Sequence, residues 1–591
     1  MPPSTTRLSI IQGPTSPPLL EWTFNDLLDE RCRRQPNHTA LICPQQSTQL
    51  TYSELQTRSR RLAACLHGAG VGRGDRVGIL LGNRAEYVEI FLACAKLGAY
   101  ATLFNYAYTQ SELENALEST DPKVLFTTLR TSRYEYQTIL DTVRRKRPSL
   151  QRIVLLNDVS STAAAPSDIN GSYYVGYEEF LSSSMSSPTS LAEVEALEKT
   201  VKPHDILNLQ FTSGSTGLPK AAALTHRGML NSARFIGKQM GVSEIDRILV
   251  PVPLFHAFGL IMGLCNACVY GASVVLPSEY WSVPATLSAI EQYQCTGLYG
   301  VTTMFVDQLS HPSFATTKRS SLRFGMMAGS AMPEELLNRV MTSFPIPALY
   351  TNWGMTELSS VATMTTAADP VVKKMATAGR LLPHFSAKIV EPNTDRVLPW
   401  GARGEIVISG FGVMDGYFRN TEKTAEAIKV HHGDDGVKWM HTGDEGYLDS
   451  DGYFVITGRI KDLIIRGGEN ISPLEIEARL YQHPAVAQAV VFGFPSSRYG
   501  EEVAAMLEEA PSKVKTRPTD KQVKDWVGQA LARFKVPVHV FWLGDEGTPT
   551  EWPKTSNGKL RKMNVKAIGE QLIQKKEKKR RRPPVGLRAS L

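Results

Sequence analysis

The chain has 591 residues, 42% hydrophobic and 21% charged, an ordinary composition for a soluble globular protein but too much length for one hydrophobic core, so at least two domains are expected. Its seven cysteines (Cys32, Cys43, Cys65, Cys94, Cys265, Cys268 and Cys295) are odd in number and lie mostly in apolar sequence, which argues for reduced intracellular thiols and against a disulfide framework. The net charge of +7 points to nucleic acid only until it is localised: KKEKKRRR at 575–582 supplies +6 of it, so a specific nucleic-acid partner is not expected.

The N-terminal MPPSTTRLSIIQGPTSPP lacks the uninterrupted apolar stretch of a secretory signal. TFNDLLDERCRRQP then reads as an amphipathic helix and ALICP as a strand. LTYSELQTRSRRLAACLHGAG reads as a helix capped by Ser53 and stopped near Gly70. RVGILLGN is a strand, AEYVEIFLACAKLGAY a helix, and VLFTT and RIVLLN are further strands. Such alternation predicts an α/β fold with mainly parallel sheet. SSTAAAPSDINGS (160–172) and SSSMSSPTS (182–190) read as surface loops.

FTSGSTGLPK (211–220) combines three hydroxyl side chains, two glycines, a proline and a lysine between an apolar strand and AAALTHRGMLNSARF, a helix pattern. A strand–loop–helix junction suits phosphate, whereas taken alone the loop reads equally as a mobile turn. It is not a nucleotide-binding P-loop, because Lys220 follows Pro219 instead of the second glycine and Ala221 replaces the metal-binding hydroxyl. GLIMGLCNACVYGASVVL (259–276) is apolar, but its glycines, Asn266 and Ser273 fit a buried helix running into a buried strand better than a transmembrane segment. Cys265 and Cys268 have C-x-x-C spacing with no second pair or histidine cluster, which argues against zinc.

Beyond about residue 380 the pattern becomes β-rich (SAKIV, GEIVISG, GYFVITG), and after Lys461 a compact α+β pattern begins. We therefore expect an N-terminal domain over 1–460 with a β-rich part at about 380–460. A small domain over 461–567 and a disordered basic tail over 568–591 complete the division. The tail reads as solvated, with nuclear targeting and an anionic surface as alternatives.

TSGSTGLPK is followed in order by NWGMTEL (352–358), HTGDEGY (441–447), GRIKDLIIRGGENISPLEIE (458–477) and PKTSNGK (553–559). Together these five segments resemble the adenylate-forming (AMP-binding) superfamily over about residues 20–567. PLFHAFG (253–259) and LYGVTTMFVDQL (298–309) resemble its medium-chain acyl-CoA synthetases and the fungal acyl-CoA ligases of siderophore and peptide-toxin pathways.

The resemblance implies an AMP-forming ligase that uses ATP and Mg²⁺ to activate a carboxylic acid as acyl-AMP and passes the acyl group to coenzyme A. A fatty-acyl-AMP ligase loading a carrier protein is the alternative. By the same resemblance, Thr212, Ser213, Gly214, Ser215, Thr216, Gly217 and Lys220 wrap the β- and γ-phosphates. Gly329, Ser330 and Ala331 border adenine, and Trp353 lies against its ring where tyrosine is common. Thr356 bonds the α-phosphate, Glu357 holds Mg²⁺, and Asp444 and Arg459 grip the ribose. Lys559 reaches the contact between carboxylate and α-phosphate, and His256 stands between acyl pocket and nucleotide. Phe255, Met262, Gly300, Val301 and Met304 line that pocket, with Thr302 replacing a frequent proline and Ser330–Ala331 a frequent Ala-Pro. Lys461 is the hinge about which the small domain turns, and Gly468 then leaves room for the thiol. The cytosol is the expected compartment; Ala589-Ser590-Leu591 only faintly resembles a peroxisomal S-K-L.

Overall fold

The computed structural model describes residues 7–130, 135–146, 149–156, 173–183, 188–212, 219–328, 334–467, 469–496, 498–510, 517–554 and 560–581. Side-chain capping fixes where several early helices begin. Thr23 and Asp26 form a reciprocal capping box on helix Phe24–Arg34, and Thr109 and Glu112 do the same for Gln110–Thr120. Helix Tyr52–Gly68 is capped by Thr51 with Glu54, not by Ser53 as the sequence suggested. Two overlapping capping signatures compete there. Tertiary contacts decide, since the Tyr52 N–H donates to His38 O and its buried hydroxyl to Ala272 O at 2.7 Å.

Two mixed sheets carry the large domain. In the first, strands Ile206–Thr212, Tyr100–Leu103, Arg76–Leu80, Val124–Thr127, Arg152–Leu155 and Tyr174–Gly176 run parallel in that order. The second orders Ala348–Tyr350, Phe324–Ala328, Gly297–Val301, Arg247–Leu249, Ser273–Val275 and Thr39–Cys43 in parallel, with Thr48–Thr51 antiparallel at its edge. Side chains of both sheets belong to one continuous core that includes Val77, Ile79, Leu41, Ile248 and Val274. Every residue of helix Ala85–Leu97 except Glu86 is buried, Glu89 and Lys96 included. Lys96 is tolerated there because its Nζ lies 3.1 Å from Glu198, which Arg60 also bonds at 2.9 Å.

The segment after the glycine-rich loop departs from expectation. Ala221–Thr225 is not the start of a helix but part of strand Lys220–Thr225, antiparallel to Ile206–Thr212. Alanine favours helix locally, yet Ala221, Ala222 and Ala223 are buried against neighbouring strands, and Thr225 starts helix His226–Met240 by accepting from Gly228 N. The apolar 259–276 stretch is a π-helix, Phe258–Cys265, then a helix, Asn266–Tyr270, and strand Ser273–Val275. No described helix is long and apolar enough to cross a membrane. Residues 188–190, read as part of a loop, open helix Pro188–Glu198, while 160–172 lie outside the described residues.

An antiparallel sheet follows, with Ile10–Gln12, Phe385–Val390, Gly404–Gly410, Lys438–Leu448 and Ile428–Val430 in order and Phe454–Arg459 also paired to Lys438–Leu448. After the short turn Ile460–Asp462 the chain builds a separate five-stranded sheet centred on Val486–Ser496 and Gly500–Glu509. One face of it packs on Ile476, Leu480, Val523 and Val527, the other on Val565, Leu572 and Ile573. The basic run expected to be disordered is, as far as Arg581, the end of helix Lys562–Arg581. Burial of Leu572 and Ile573, each contributing about 1.5–3 kcal/mol, anchors that helix, and Lys576 Nζ stands 4.6 Å over the Phe541 ring.

His226 ties two early elements together, its Nδ1 accepting from Phe24 N at 3.1 Å in a fully buried setting. Burial pushes its pKa down from 6.5 to about 4, against the smaller opposing pull of Asp205 and Asp26. The folded state therefore binds fewer protons than the unfolded chain between those values. This contribution to stability is complete above pH 6.5 and is lost as pH falls toward 4. Denaturant titrations at a series of pH values should find that wild type loses about 3 kcal/mol more over this window than His226→Asn, which keeps an acceptor but cannot be protonated there. Parallel losses in the two proteins would remove His226 as the cause.

Candidate active site

Strands Ile206–Thr212 and Lys220–Thr225 pair antiparallel with Thr212 opposite Lys220. Of the phosphate-loop residues, Ser213, Gly214, Ser215, Thr216 and Gly217 lie outside the described residues; Thr212 and Lys220 mark the loop's base. Lys220 Nζ sits 4.3 Å from the centroid of the Tyr417 ring. The Tyr417 hydroxyl donates to Glu357 Oε1 at 2.8 Å. Burial, then the Glu357 charge, pushes the phenol pKa well up, so Tyr417 remains a donor. Glu357 is buried in the single turn Thr356–Leu358, where Thr356 is partly exposed. Gly354 lets that turn form, because a Cβ there would fall on Ser360 O.

The ammonium of Lys220 is in an uncomfortable place. Burial lowers its pKa, Glu357 opposes the shift, and the charges of Lys423 and Lys461 lower it further. Glu426, bonded to Lys423 at 2.5 Å, offsets part of this, and a bound polyanion would relieve the remaining repulsion among the lysines.

A second group of side chains converges on Asp444. Its strand, Lys438–Leu448, pairs with Phe454–Arg459 so that Asp444 lies opposite Arg459. Arg459 Nε stands 2.6 Å from Asp444 Oδ1, and another guanidinium nitrogen donates to Thr442 O at 3.1 Å. Trp353 Nε1 donates to Asp444 Oδ2 at 2.8 Å. The structure thus brings Trp353, Asp444 and Arg459 together. The indole expected to lie flat against a base also engages the carboxylate through its edge.

Glu405 supports the same turn and carried no warning in the sequence. Its Oε1 accepts from Gly443 N at 3.0 Å and its Oε2 lies 2.9 Å from His441 Nδ1, whose Nε2 is 3.0 Å from His431 Nε2. Gly443 has φ of 68°, the left-handed region, so the turn before Asp444 depends on glycine. Tyr417 was missed too, because a lone tyrosine in a GYFRN stretch has no chemical spacing to recommend it.

The apolar candidates collect at the C-terminal edge of the second sheet. Strands Arg247–Leu249 and Gly297–Val301 are parallel neighbours, so the segments leaving them emerge side by side. Phe255, Met262 and Met304 belong to one hydrophobic cluster, with Val301 packed against it. Gln210 Nε2 donates to Phe255 O at 2.8 Å, and Asn83 bonds Val252 O and Leu254 N. Phe258 on the π-helix stacks on Tyr299 at 5.8 Å. A Cβ on Gly300 would meet Phe305 at 3.1 Å and crowd Met304. Thr302 is the first residue of helix Thr302–Ser310, a position that also suits proline, so the exchange leaves the backbone path intact. His256 is partly buried, and its Nδ1 accepts from Phe258 N at 3.2 Å.

Lys461 lies exposed in the turn joining the antiparallel sheet to the separate C-terminal sheet. Gly329, Ser330, Ala331, Gly468 and Lys559 lie outside the described residues.

Set against known proteins, this arrangement has a family. The profile described as AMP-binding enzyme matches residues 28–418, and the one described as AMP-binding enzyme C-terminal domain matches 475–559. The acyl-CoA ligase sidI of Beauveria bassiana is 39% identical, with 97% of each chain covered. The zebrafish (Danio rerio) mitochondrial medium-chain acyl-CoA ligase ACSF2 is 34% identical over 97% of this chain and 93% of its own. The crystal structure of the anthranilate CoA ligase AuaEII with anthranoyl-AMP superposes with a TM-score of 0.78 at 24% identity, covering 94% of this chain and 98% of that one, and so supports the fold. The chain belongs to the AMP-binding enzyme family. Within it, the chain is an AMP-forming acid–thiol ligase of the acyl-CoA ligase type.

Trp353→Phe keeps an aromatic ring but removes the donor to Asp444. Loss of one hydrogen bond to a charged group, about 1.5–3 kcal/mol, should raise KM for ATP roughly ten- to a hundredfold while KM for the acid stays within a factor of two. A change confined to the acid KM would show that Trp353 serves the acyl pocket.

Proposed function

We propose that this ligase activates a medium-chain or modified fatty acid with Mg-ATP and transfers the acyl group to coenzyme A, with the residues named above in the roles their resemblance implies. The observation that carries this reading is the pairing of two corners. One is built from Lys220, Tyr417 and Glu357, with Lys423 and Lys461 in electrostatic reach; the other is the Trp353–Asp444–Arg459 group. A nucleoside triphosphate has the matching halves, a polyanion and a ribose-linked base.

A carboxylate resists a thiol because it is anionic and would have to expel oxide. In the first step a carboxylate oxygen attacks the α-phosphorus of ATP, and the bond to the β-phosphate oxygen breaks to release pyrophosphate. In the second, a thiolate attacks the acyl carbon, AMP leaves with its phosphate oxygen, and the thiol proton passes to solvent. The first step brings two anions together, so neutralisation and alignment dominate. Lys220 and the loop 212–217 would hold the β- and γ-phosphates, with Gly329–Ala331 along the base. Thr356 would bond the α-phosphate and Lys559 would bridge it to the carboxylate. The buried Glu357 carboxylate, next to Lys220, is a hard oxygen donor of the kind Mg²⁺ takes, and would hold it there. When bound, Mg²⁺ supplies charge neutralisation on the phosphate oxygens.

Phe255, Met262, Gly300, Val301 and Met304 would enclose the acyl chain, with His256 between it and the phosphate. A medium-chain acid is favoured by the ACSF2 relative, which is named for that class. A carrier-protein acceptor is not favoured: the chain between Asp444 and Arg459 is a tight hairpin with no insertion beside the hinge. Residues 461–567 would form the mobile domain, turning about Lys461 so that Gly468 faces the thiol. All seven cysteines are free, six of them buried, which suits a reducing compartment such as the cytosol.

Pyrophosphate release across a panel of carboxylic acids, with and without coenzyme A, tests the reading. Saturated acids of about six to twelve carbons should give the highest kcat/KM, with thioester formed only when coenzyme A is present; no pyrophosphate from any acid would refute it. Lys559→Ala should lower acyl-AMP formation by about two to three orders of magnitude, while thioester formation from supplied acyl-AMP persists.

A further inference from the structure

One contact joins the small domain to the large one beside the loop that carries Lys559. Arg561 follows that loop, its N–H donating to Pro553 O across the bridge formed by Lys554 and Leu560. Its carbonyl accepts from Asn564 N and Val565 N in the first turn of helix Lys562–Arg581. Its guanidinium reaches out of the small domain to Glu112, 3.7 Å from Oε1. Neither side chain is deeply buried, at 36% and 28% exposed, so the contact can open without stranding a charge.

Glu112 is well placed to receive it. The residue is the third of helix Gln110–Thr120, and its Oε2 is already fixed by Thr109 N at 2.8 Å and Thr109 Oγ1 at 3.0 Å. One carboxylate oxygen thus secures the helix start and the other meets the arginine. The helix follows strand Tyr100–Leu103, which lies beside Ile206–Thr212, the strand running into the phosphate loop. At the root of the small domain, Lys562 is held internally by Glu477 at 2.8 Å, so Arg561 is presented from a fixed base.

We propose that Arg561 and Glu112 form a positioning pair that holds the small domain in the conformation of the first half-reaction and must part before the second. The inference rests on the two-step reading above. An exposed ion pair shifts a two-state balance only modestly, by about two- to fivefold. That is the size wanted of a latch that opens every turnover, since a tenfold stronger one would trap the first conformation.

The test uses full-length enzyme and measures each half-reaction separately: single-turnover acyl-AMP formation, and thioester formation from supplied acyl-AMP and coenzyme A. Arg561→Gln and Glu112→Gln, the latter able to keep the capping bonds, should each slow the first step about two- to fivefold and leave the second unchanged or faster. The double variant Glu112→Gln with Arg561→Gln should slow the first step no more than either single variant, because each removes the same contact. Equal slowing of both steps, unchanged single variants, or additive slowing in the double variant would each overturn the proposal. Wild-type pyrophosphate release is the control that separates failure of the latch from failure of the two-step reading.

Discussion

The ion pair between Asp444 and Arg459 fixes more of this site than any other contact. It spans the last two strands of the antiparallel sheet, and it is placed by register: the two residues oppose each other because the hairpin between them is short. Arg459 is also the last strand residue before the turn that holds Lys461. Any displacement of Asp444 is therefore felt at the turn that holds Lys461. A carboxylate buried to this degree needs its partners, which Arg459 and the Trp353 indole supply, while the Thr442 hydroxyl accepts from the Asp444 backbone N–H. The Glu405–His441–His431 chain behind Gly443 braces the same turn from the opposite side.

The second constraint is electrostatic. Among the described residues no carboxylate lies within ion-pair distance of Lys220. It faces a tyrosine ring, a glutamate already bonded by that tyrosine, two further lysines, and Glu426, which is bonded to one of them. In a binding protein for a neutral ligand such crowding would be a defect. For the triphosphate proposed above it would be preorganisation, because the repulsion would be present before the ligand arrives and relieved by it. Tyr417 keeps the arrangement from collapsing, since its hydroxyl holds Glu357 while its ring face accommodates the ammonium.

How far the sequence announced this depends on which physical signal each part carries. Alternating helices and apolar strands were plain, and so were the parallel sheets they imply. The family emerged from five ordered segments whose spacing no bland reading accounts for. Local propensity failed where tertiary burial overruled it. Ala221–Thr225 looks helical and is a strand, and Ser53 looks like a cap although Thr51 is chosen because Tyr52 must reach Ala272. Leu572 and Ile573 were overlooked inside a charged run, and they are what keep the C-terminal helix on its domain. Tyr417 and Glu405 are of another kind. Each acts only through a partner more than thirty residues distant in sequence, so no local pattern could have singled them out.

These features share one physical requirement. The two proposed half-reactions, one at the α-phosphorus and one at the acyl carbon of the same site, would call for two arrangements of the small domain. The large domain answers with contacts that are buried and multiply bonded, as at Asp444 and Glu357, so the nucleotide corner stays put. The small domain is joined through an exposed three-residue turn, through the buried Ser472 hydroxyl donating to Thr457 O and, near the lysine loop, through a half-exposed ion pair. On the reading proposed above, the contact that would have to part is the exposed ion pair, while the buried bonds at Asp444 and Glu357 would stay.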